Sequence, residues 1–254
     1  MLNPALRGGD GEQGGLEIEL REPALTEDNL GLKTWASSYL LSMRLSRLSS
    51  NVLPITSPPR PGSLSPPPTR ILELGAGTGL VGLSAAAIFG VPVLLTDLPA
   101  IVPNLQRNIN QNASRLRGCG GGEATAQVLD WSCAPDPPLL ESLRYDVILA
   151  ADPLYSPDHP RMLVDTICAY LRTNSDASRV VVEMPLRRGY VLEREEFRKR
   201  MLACGLQVVD EGWEAGRDDW EGDGSGFDCW WAVWAWTWAG AAERGKRPGL
   251  IGGL

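Results

Sequence analysis

Glu73 and Asp97 frame three glycines at alternate positions, Gly75, Gly77 and Gly79, in the run Arg-Ile-Leu-Glu-Leu-Gly-Ala-Gly-Thr-Gly-Leu-Val-Gly over 70–82. Glycines so spaced let the backbone turn tightly and let a ligand lie against its amides. Asp97 closes a second apolar run, Val93-Leu-Leu-Thr96. A carboxylate there can take the two ribose hydroxyls of a nucleoside-containing cofactor. For these residues to work together, Ile71–Leu74 must be a buried strand and Leu80–Phe89 a helix, with the glycine turn between them. The helix then aims its free N-terminal amides at the ligand.

The glycines alone leave the ligand open. Gly77-Thr-Gly-Leu-Val-Gly82 satisfies the dinucleotide pattern G-x-G-x-x-G, and Asp97 stands about where that pattern needs an acid. Glu73 tips the balance. A carboxylate two residues before the first glycine repels a pyrophosphate but suits the ammonium and sulfonium of S-adenosyl-L-methionine. The residues therefore favour S-adenosylmethionine over NAD, with a ligand-free glycine turn as the third reading.

The surrounding elements alternate. Strands are predicted at Ile71–Leu74, Val93–Thr96, Ala126–Leu129, Asp146–Ala150, Val180–Glu183, Leu206–Asp210 and Cys229–Trp238. Helices are predicted at Leu32–Leu48, Leu80–Phe89, Ala100–Asn112, Pro160–Arg172 and Val191–Cys204. Leu16–Leu20 alternates as a half-exposed strand does, and Thr26–Asn29 is suited to capping the first helix. Such alternation predicts an α/β fold: a Rossmann-like, seven-stranded, mostly parallel sheet with helices on both faces and an antiparallel last strand. Ligands bind such sheets at the carboxyl ends of the strands. Trp230 and Trp234 share one parity of the last strand, with Trp231 and Val233 on the other, the pattern of a strand packed on both sides. One domain over 1–254 is expected, with a mobile 1–15, a Pro/Ser-rich loop insert at 49–69, a core at 70–238 and a mobile tail at 239–254.

Composition narrows the function class. The chain has 254 residues, a net charge of −7 and 43% hydrophobic residues. That acidity argues against broad binding to nucleic-acid phosphates. The five cysteines are scattered without a C-x-x-C pair, so neither a disulfide framework nor a metal site is expected. The single histidine, His159, lies between Asp158 and Pro160 and reads as a surface residue at a helix start. Without a long apolar run or a signal pattern, a soluble, cytoplasmic protein is expected, with the nucleus as a second compartment.

Four segments together resemble the seven-β-strand, class I methyltransferases, and within them the family 16 group of protein-lysine methyltransferases. They are the Glu-Leu-Gly-Ala-Gly-Thr-Gly turn, Gly31-Leu-Lys-Thr-Trp35, Leu129-Asp130-Trp131 and Ala150-Ala-Asp152-Pro-Leu-Tyr155. The resemblance runs from about residue 16 to 238. It implies that Glu73, Gly75, Gly77 and Gly79 hold the methionine part of the cofactor and that Asp97 binds its ribose. Asp130 and Trp131 would bound the adenine, Trp35 would close over the cofactor, and Ala150 would belong to the same wall. Asp152 and Tyr155 would line the opening for the acceptor nitrogen and serve as the catalytic pair.

The implied activity is S-adenosylmethionine-dependent protein-lysine N-methylation by a monomer, with a translation elongation factor or a chaperone as substrate. A small-molecule N-methyltransferase and a non-catalytic cofactor-binding interaction protein are the alternatives. Each residue also has a plainer reading. Trp35 suits a helix core, Asp130 and Asp152 suit turns, and Tyr155 suits a packed loop. Arg187 and Arg188 suit a solvated loop or a hold on an acidic substrate. The acidic run from Asp210 to Asp223 suits a solvated loop or a receptor for a basic peptide.

Overall fold

The computed structural model describes residues 17–23, 30–48, 50, 52–56, 68–133, 135–136, 138–216 and 227–237. Their elements are, in chain order, α1 (Ala36–Leu45), β1 (Ile71–Leu74), α2 (Leu80–Phe89), β2 (Val93–Asp97), α3 (Val102–Gly118), β3 (Ala124–Val128), β4 (Val147–Ala151), α4 (His159–Tyr170), β5 (Arg179–Pro185), α5 (Val191–Ala203), β6 (Leu206–Gly216) and β7 (Phe227–Trp236). All four residues of β1 are buried, as a central strand covered on both faces requires. The sheet order is β3-β2-β1-β4-β5-β7-β6. β1 pairs in parallel with β2 on one side and β4 on the other, and β7 runs antiparallel between β5 and β6. Strand order therefore reverses between β1 and β4, and ligands of open α/β sheets bind beside such a reversal.

Two apolar layers cover the sheet. α1, α2 and α3 bring Leu41, Leu83 and Leu105 onto one face against Leu95 and Leu149. α4 and α5 bring Ile167 and Phe197 onto the other against Leu72, Ile148 and Trp234. β7 faces both layers, with Val233 in the first and Trp230 and Trp234 in the second. Trp238 lies outside the described residues.

Several boundaries depart from expectation. Residues 17–20 join no strand. Their backbone is met by asparagine side chains of α3 instead. The Glu19 N–H donates to Asn112 Oδ1 at 3.0 Å, the Arg21 N–H donates to Asn108 Oδ1 at 2.9 Å, and Asn104 Nδ2 donates to the Arg21 carbonyl at 3.0 Å. A four-residue spacing puts these amides on one helix face, and α3 runs six residues beyond its predicted end. α1 is shorter than expected, because Trp35 at its start is extended (φ −86°, ψ 157°). The proposed cap at Thr26–Asn29 lies outside the described residues, as do 1–15 and 239–254.

β6 continues to Gly216 and absorbs the start of the acidic run. Glu211 pairs with Arg198 and accepts the Trp230 indole N–H at 2.9 Å, and Glu214 pairs with Arg44. These two acids are structural partners rather than a solvated loop; 217–226 lie outside the described residues. The insert is pinched at its base, where the Thr69 N–H donates to the Thr56 carbonyl at 2.9 Å and the Thr56 N–H to Thr69 Oγ1 at 2.7 Å. Leu53 is buried in the core, while 57–67 lie outside the described residues.

Candidate functional site

The glycine turn leaves β1 with left-handed backbone at Gly75 (φ 70°) and Gly79 (φ 91°). A Cβ on Gly75 would sit 3.2 Å from the Trp131 ring, and one on Gly79 would sit 2.7 Å from Leu105 Cδ1. Both conformation and space therefore demand glycine at these positions. Gly77 completes the turn, its N–H donating to Asp97 Oδ2 at 2.7 Å. The other Asp97 oxygen takes the Leu98 N–H at 2.7 Å. Burial raises the Asp97 pKa, and those two backbone donors oppose the rise.

Glu73 behaves otherwise than expected. It is buried behind the turn, where Oε2 accepts the Gly82 N–H at 2.9 Å. Desolvation lifts its pKa from 4.5 to about 8 against the pull of that hydrogen bond, so at neutral pH it is largely uncharged. Glu73 braces the turn onto α2; it does not provide a charged wall. The other carboxylates of the site are Asp97, Asp130 and Asp152.

The approach to α1 packs onto the same turn. Thr34 Oγ1 and Thr78 Oγ1, both buried, lie 2.7 Å apart, and Asn108 Nδ2 donates to the Thr78 carbonyl at 2.9 Å. The sequence reading missed Thr34, Thr78 and Asn108. Only the asparagine periodicity on α3 was there to signal them. Trp35 follows directly, half-buried, with Lys33 Nζ 5.4 Å and the Arg187 guanidinium 5.3 Å from its ring centroid.

On the other side, the Leu129 N–H donates to the Asp97 carbonyl at 3.0 Å and brings Asp130 and Trp131 beside Asp97. Asp130 is partly exposed, and Oδ1 accepts the Ser132 N–H at 2.8 Å. The Ser132 hydrogen bonds lower its pKa. This is the turn-forming aspartate its plainer reading describes. Ala150 is wholly buried in the α4-side layer, so only its backbone is available to a ligand.

β4 ends at Ala151, and Asp152 turns the chain with φ 50°, the sole positive φ of a non-glycine among the described residues. Strain of this kind costs of order 1–3 kcal/mol and persists where the surroundings hold it. The Asp152 N–H donates to the Glu183 carbonyl at 2.8 Å, and Oδ2 lies 3.4 Å from Arg187 Nη2. Arg187 is therefore not a solvated loop residue: it bridges Asp152 and the face of Trp35. Tyr155 is 57% exposed. Partial desolvation raises its pKa, and the charges of Asp97 and Asp152 add to the rise, so the phenol lies within the field of both carboxylates. His159 is not a plain surface residue either. It is half-buried, its ring edge-on to Tyr155 with centroids 4.2 Å apart and to Trp131 at 5.9 Å. The structure thus gathers Trp35, the glycine turn, Asp97, Trp131, Asp152 and Tyr155 at the strand ends beside the reversal. Among the described residues no cluster of His, Cys, Asp and Glu could hold a metal ion.

The profile of the lysine methyltransferase family matches residues 15–200. This chain belongs to that family. It is 39% identical over 214 residues to a protein-lysine N-methyltransferase of Saccharomyces cerevisiae, covering 80% of this chain and 48% of the relative. It is 34% identical over 226 residues to a protein-lysine N-methyltransferase of Schizosaccharomyces pombe, covering 87% and 67%. A shorter stretch of 95 residues is 37% identical to EEF1A lysine methyltransferase 3 of Mus musculus, 37% of each chain. The chain spans about half the length of the budding-yeast relative.

Among solved structures, a Pyrococcus horikoshii protein described as a candidate RNA methyltransferase superposes with a TM-score of 0.59 at 13% identity, over 86% of this chain and 93% of its own. The cyclase SpnF superposes at 0.51 and 14% identity, over 76% and 80%. At such identities these likenesses carry the fold alone, and a cyclase on the same fold shows why fold does not decide chemistry.

Family membership identifies the cofactor as S-adenosylmethionine. The residues present fit it. Gly75 leaves a cradle under the Trp131 ring that a Cβ would fill. The carboxylate of Asp97 also suits a cationic cofactor better than a pyrophosphate.

Proposed function

We propose that this protein methylates the side-chain nitrogen of a lysine in a protein substrate, with a translation elongation factor as the substrate class. The observation that carries the proposal is the Arg187–Asp152–Trp35 arrangement. A carboxylate at the end of β4 already holds a side-chain cation at 3.4 Å, over the face of an aromatic ring. That is the chemistry a lysine ammonium needs. Tyr155, 57% exposed on the same loop, sets the acceptor opening at the surface, where a protein chain can reach it. The elongation-factor class is supported by the name of the mouse relative, and the protein class by those of both yeast relatives.

Bound S-adenosylmethionine supplies an electrophilic methyl group on a sulfonium. In this reading Trp35, Gly75–Gly79, Asp97, Asp130 and Trp131 hold it, with the Ala150 backbone behind, while Glu73 keeps the turn in shape. Asp152 draws in the acceptor ammonium, and Tyr155 orients it with its ring or hydroxyl. A free lysine has a pKa near about 10.4 and must lose a proton to water before its lone pair is available. An adjacent positive charge and exclusion of solvent favour that loss. With the cofactor bound, these residues would align the nitrogen lone pair with the methyl group that the sulfonium would supply. Alignment, not covalent catalysis, is the protein's contribution.

The test is transfer of labelled methyl from S-adenosylmethionine to protein in a cell lysate, then mass spectrometry of the labelled band. Asparagine tolerates left-handed backbone, so Asp152→Asn removes the charge without straining the turn. Label should drop at least about 30-fold, from one lost charged hydrogen bond of about 2 kcal/mol or more, with cofactor affinity within about twofold. Full protein labelling by Asp152→Asn would remove Asp152 from the acceptor site, and label in small molecules alone would overturn the substrate class.

A further inference from the structure

The single histidine of the chain is absorbed by none of the roles above, yet it stands between the two halves of the site. The His159 ring meets Tyr155 edge-on at 4.2 Å and 88°, and Trp131 at 5.9 Å and 75°. Trp131 in turn lies over Gly75. An unbroken line of contacts therefore runs from the glycine turn through Trp131 and His159 to Tyr155.

The polar edge of the ring is also committed. Nδ1 lies 3.1 Å from the Pro153 carbonyl and 3.4 Å from the Tyr155 backbone nitrogen. A protonated Nδ1 donates to the carbonyl, and a bare Nδ1 accepts from the amide. Either tautomer thus fastens the loop between Asp152 and α4. Pro160 directly after His159, with Pro153 and Leu154 buried, holds the ring's backbone in place. The ring is a wedge with two anchors, and the side chain it supports is the exposed acceptor-side aromatic. Burial depresses the His159 pKa, in keeping with a neutral ring wedged between aromatics.

We propose that His159 is a positioning residue for methyl transfer: it sets the Tyr155 ring across the acceptor opening and ties that setting to Trp131 on the cofactor side. The transfer part of this proposal rests on the activity proposed above; the placement of Tyr155 does not. An edge-to-face aromatic contact and one loop hydrogen bond together suffice to select one ring orientation over the alternatives open to a surface tyrosine. His159 needs no contact with either reactant for this role.

The experiment is a double-mutant cycle on His159 and Tyr155, read in kcat/KM for the labelled protein substrate, with cofactor affinity measured by calorimetry. His159→Ala should lower kcat/KM about tenfold when Tyr155 is present and less than twofold in a Tyr155→Ala background. His159→Phe keeps the ring and His159→Asn keeps the Nδ1 hydrogen bond. Each should recover part of the loss, which a general destabilisation would not show.

Equal losses from His159→Ala in both backgrounds would overturn the proposal. A second measurement needs no activity. In 3-fluorotyrosine-labelled protein, the Tyr155 resonance, assigned through Tyr155→Phe, should move or broaden in His159→Asn while the other tyrosine resonances stay. An unmoved Tyr155 resonance overturns the proposal, even if the wild-type chain methylates nothing. Absence of wild-type methylation with a moved resonance overturns only the activity. If His159→Ala fails to fold, the cycle is run with His159→Asn.

Discussion

Glu73→Gln separates the brace under the glycine turn from a charged cofactor wall. The Glu73 pKa stands at about 8 in the fold against 4.5 for the free side chain, because burial removes the carboxylate from water. Between those values the folded chain holds a proton that the unfolded chain releases, so rising pH favours unfolding. The cost grows by about 1.4 kcal/mol per pH unit. It reaches roughly 3 kcal/mol at pH 7 and levels off near roughly 5 kcal/mol above pH 8.

Glutamine keeps an oxygen for the Gly82 N–H and carries no titrating proton. Relative to wild type, Glu73→Gln should therefore gain stability with pH at about 1.4 kcal/mol per unit from about pH 5 to 8 and hold steady above. Any fixed offset from the amide cancels in that slope. Urea unfolding of both proteins at four pH values across the range measures it. Parallel pH curves for the two proteins would refute the reasoning. The same variant should bind S-adenosylmethionine within about twofold of wild type at pH 7, since the replaced group is already neutral. A tenfold loss would restore the charged wall that the sequence alone suggested.

Two further predictions concern packing and chain length. A Cβ on Gly82 would lie 2.5 Å from both Glu73 Oε2 and Leu95 Cγ, so Gly82→Ala should cost about 3 kcal/mol, seen as a lowered thermal midpoint; an unchanged midpoint would mean that α2 can shift freely. Because Thr56 and Thr69 already hold the base of the insert together, replacing residues 57–67 by a short Gly/Ser link should leave stability within about 1 kcal/mol and methylation unchanged. Lost methylation in a folded deletion would make the insert part of substrate recognition.

The core of this fold was legible because its signals are local. β1 and α2 fall where apolar run, glycine turn and helix pattern put them, since a strand covered on both faces must be apolar throughout. The turn glycines and Asp97 were read the same way, at the ends of the first two strands, whereas the Asp130–Trp131 and Asp152–Tyr155 pairs were singled out only through the family resemblance. Charge and company were not legible. Glu73 reads as an anion in sequence, and only its burial under Gly82 makes it a neutral brace.

Leu16–Leu20 alternates like a strand, yet the backbone amides of Glu19 and Arg21 donate to asparagines some ninety positions away, a partner that periodicity cannot name. Arg187 and His159 look like loop and surface residues until the crossover between β1 and β4 sets the ends of β4 and β5, and the start of α4, beside the glycine turn. Sequence by itself determined which backbone can turn and which side chains can do chemistry. The tertiary structure decided which of those side chains are desolvated, paired or wedged together. Those states depend on neighbours distant in the chain, which no local pattern encodes.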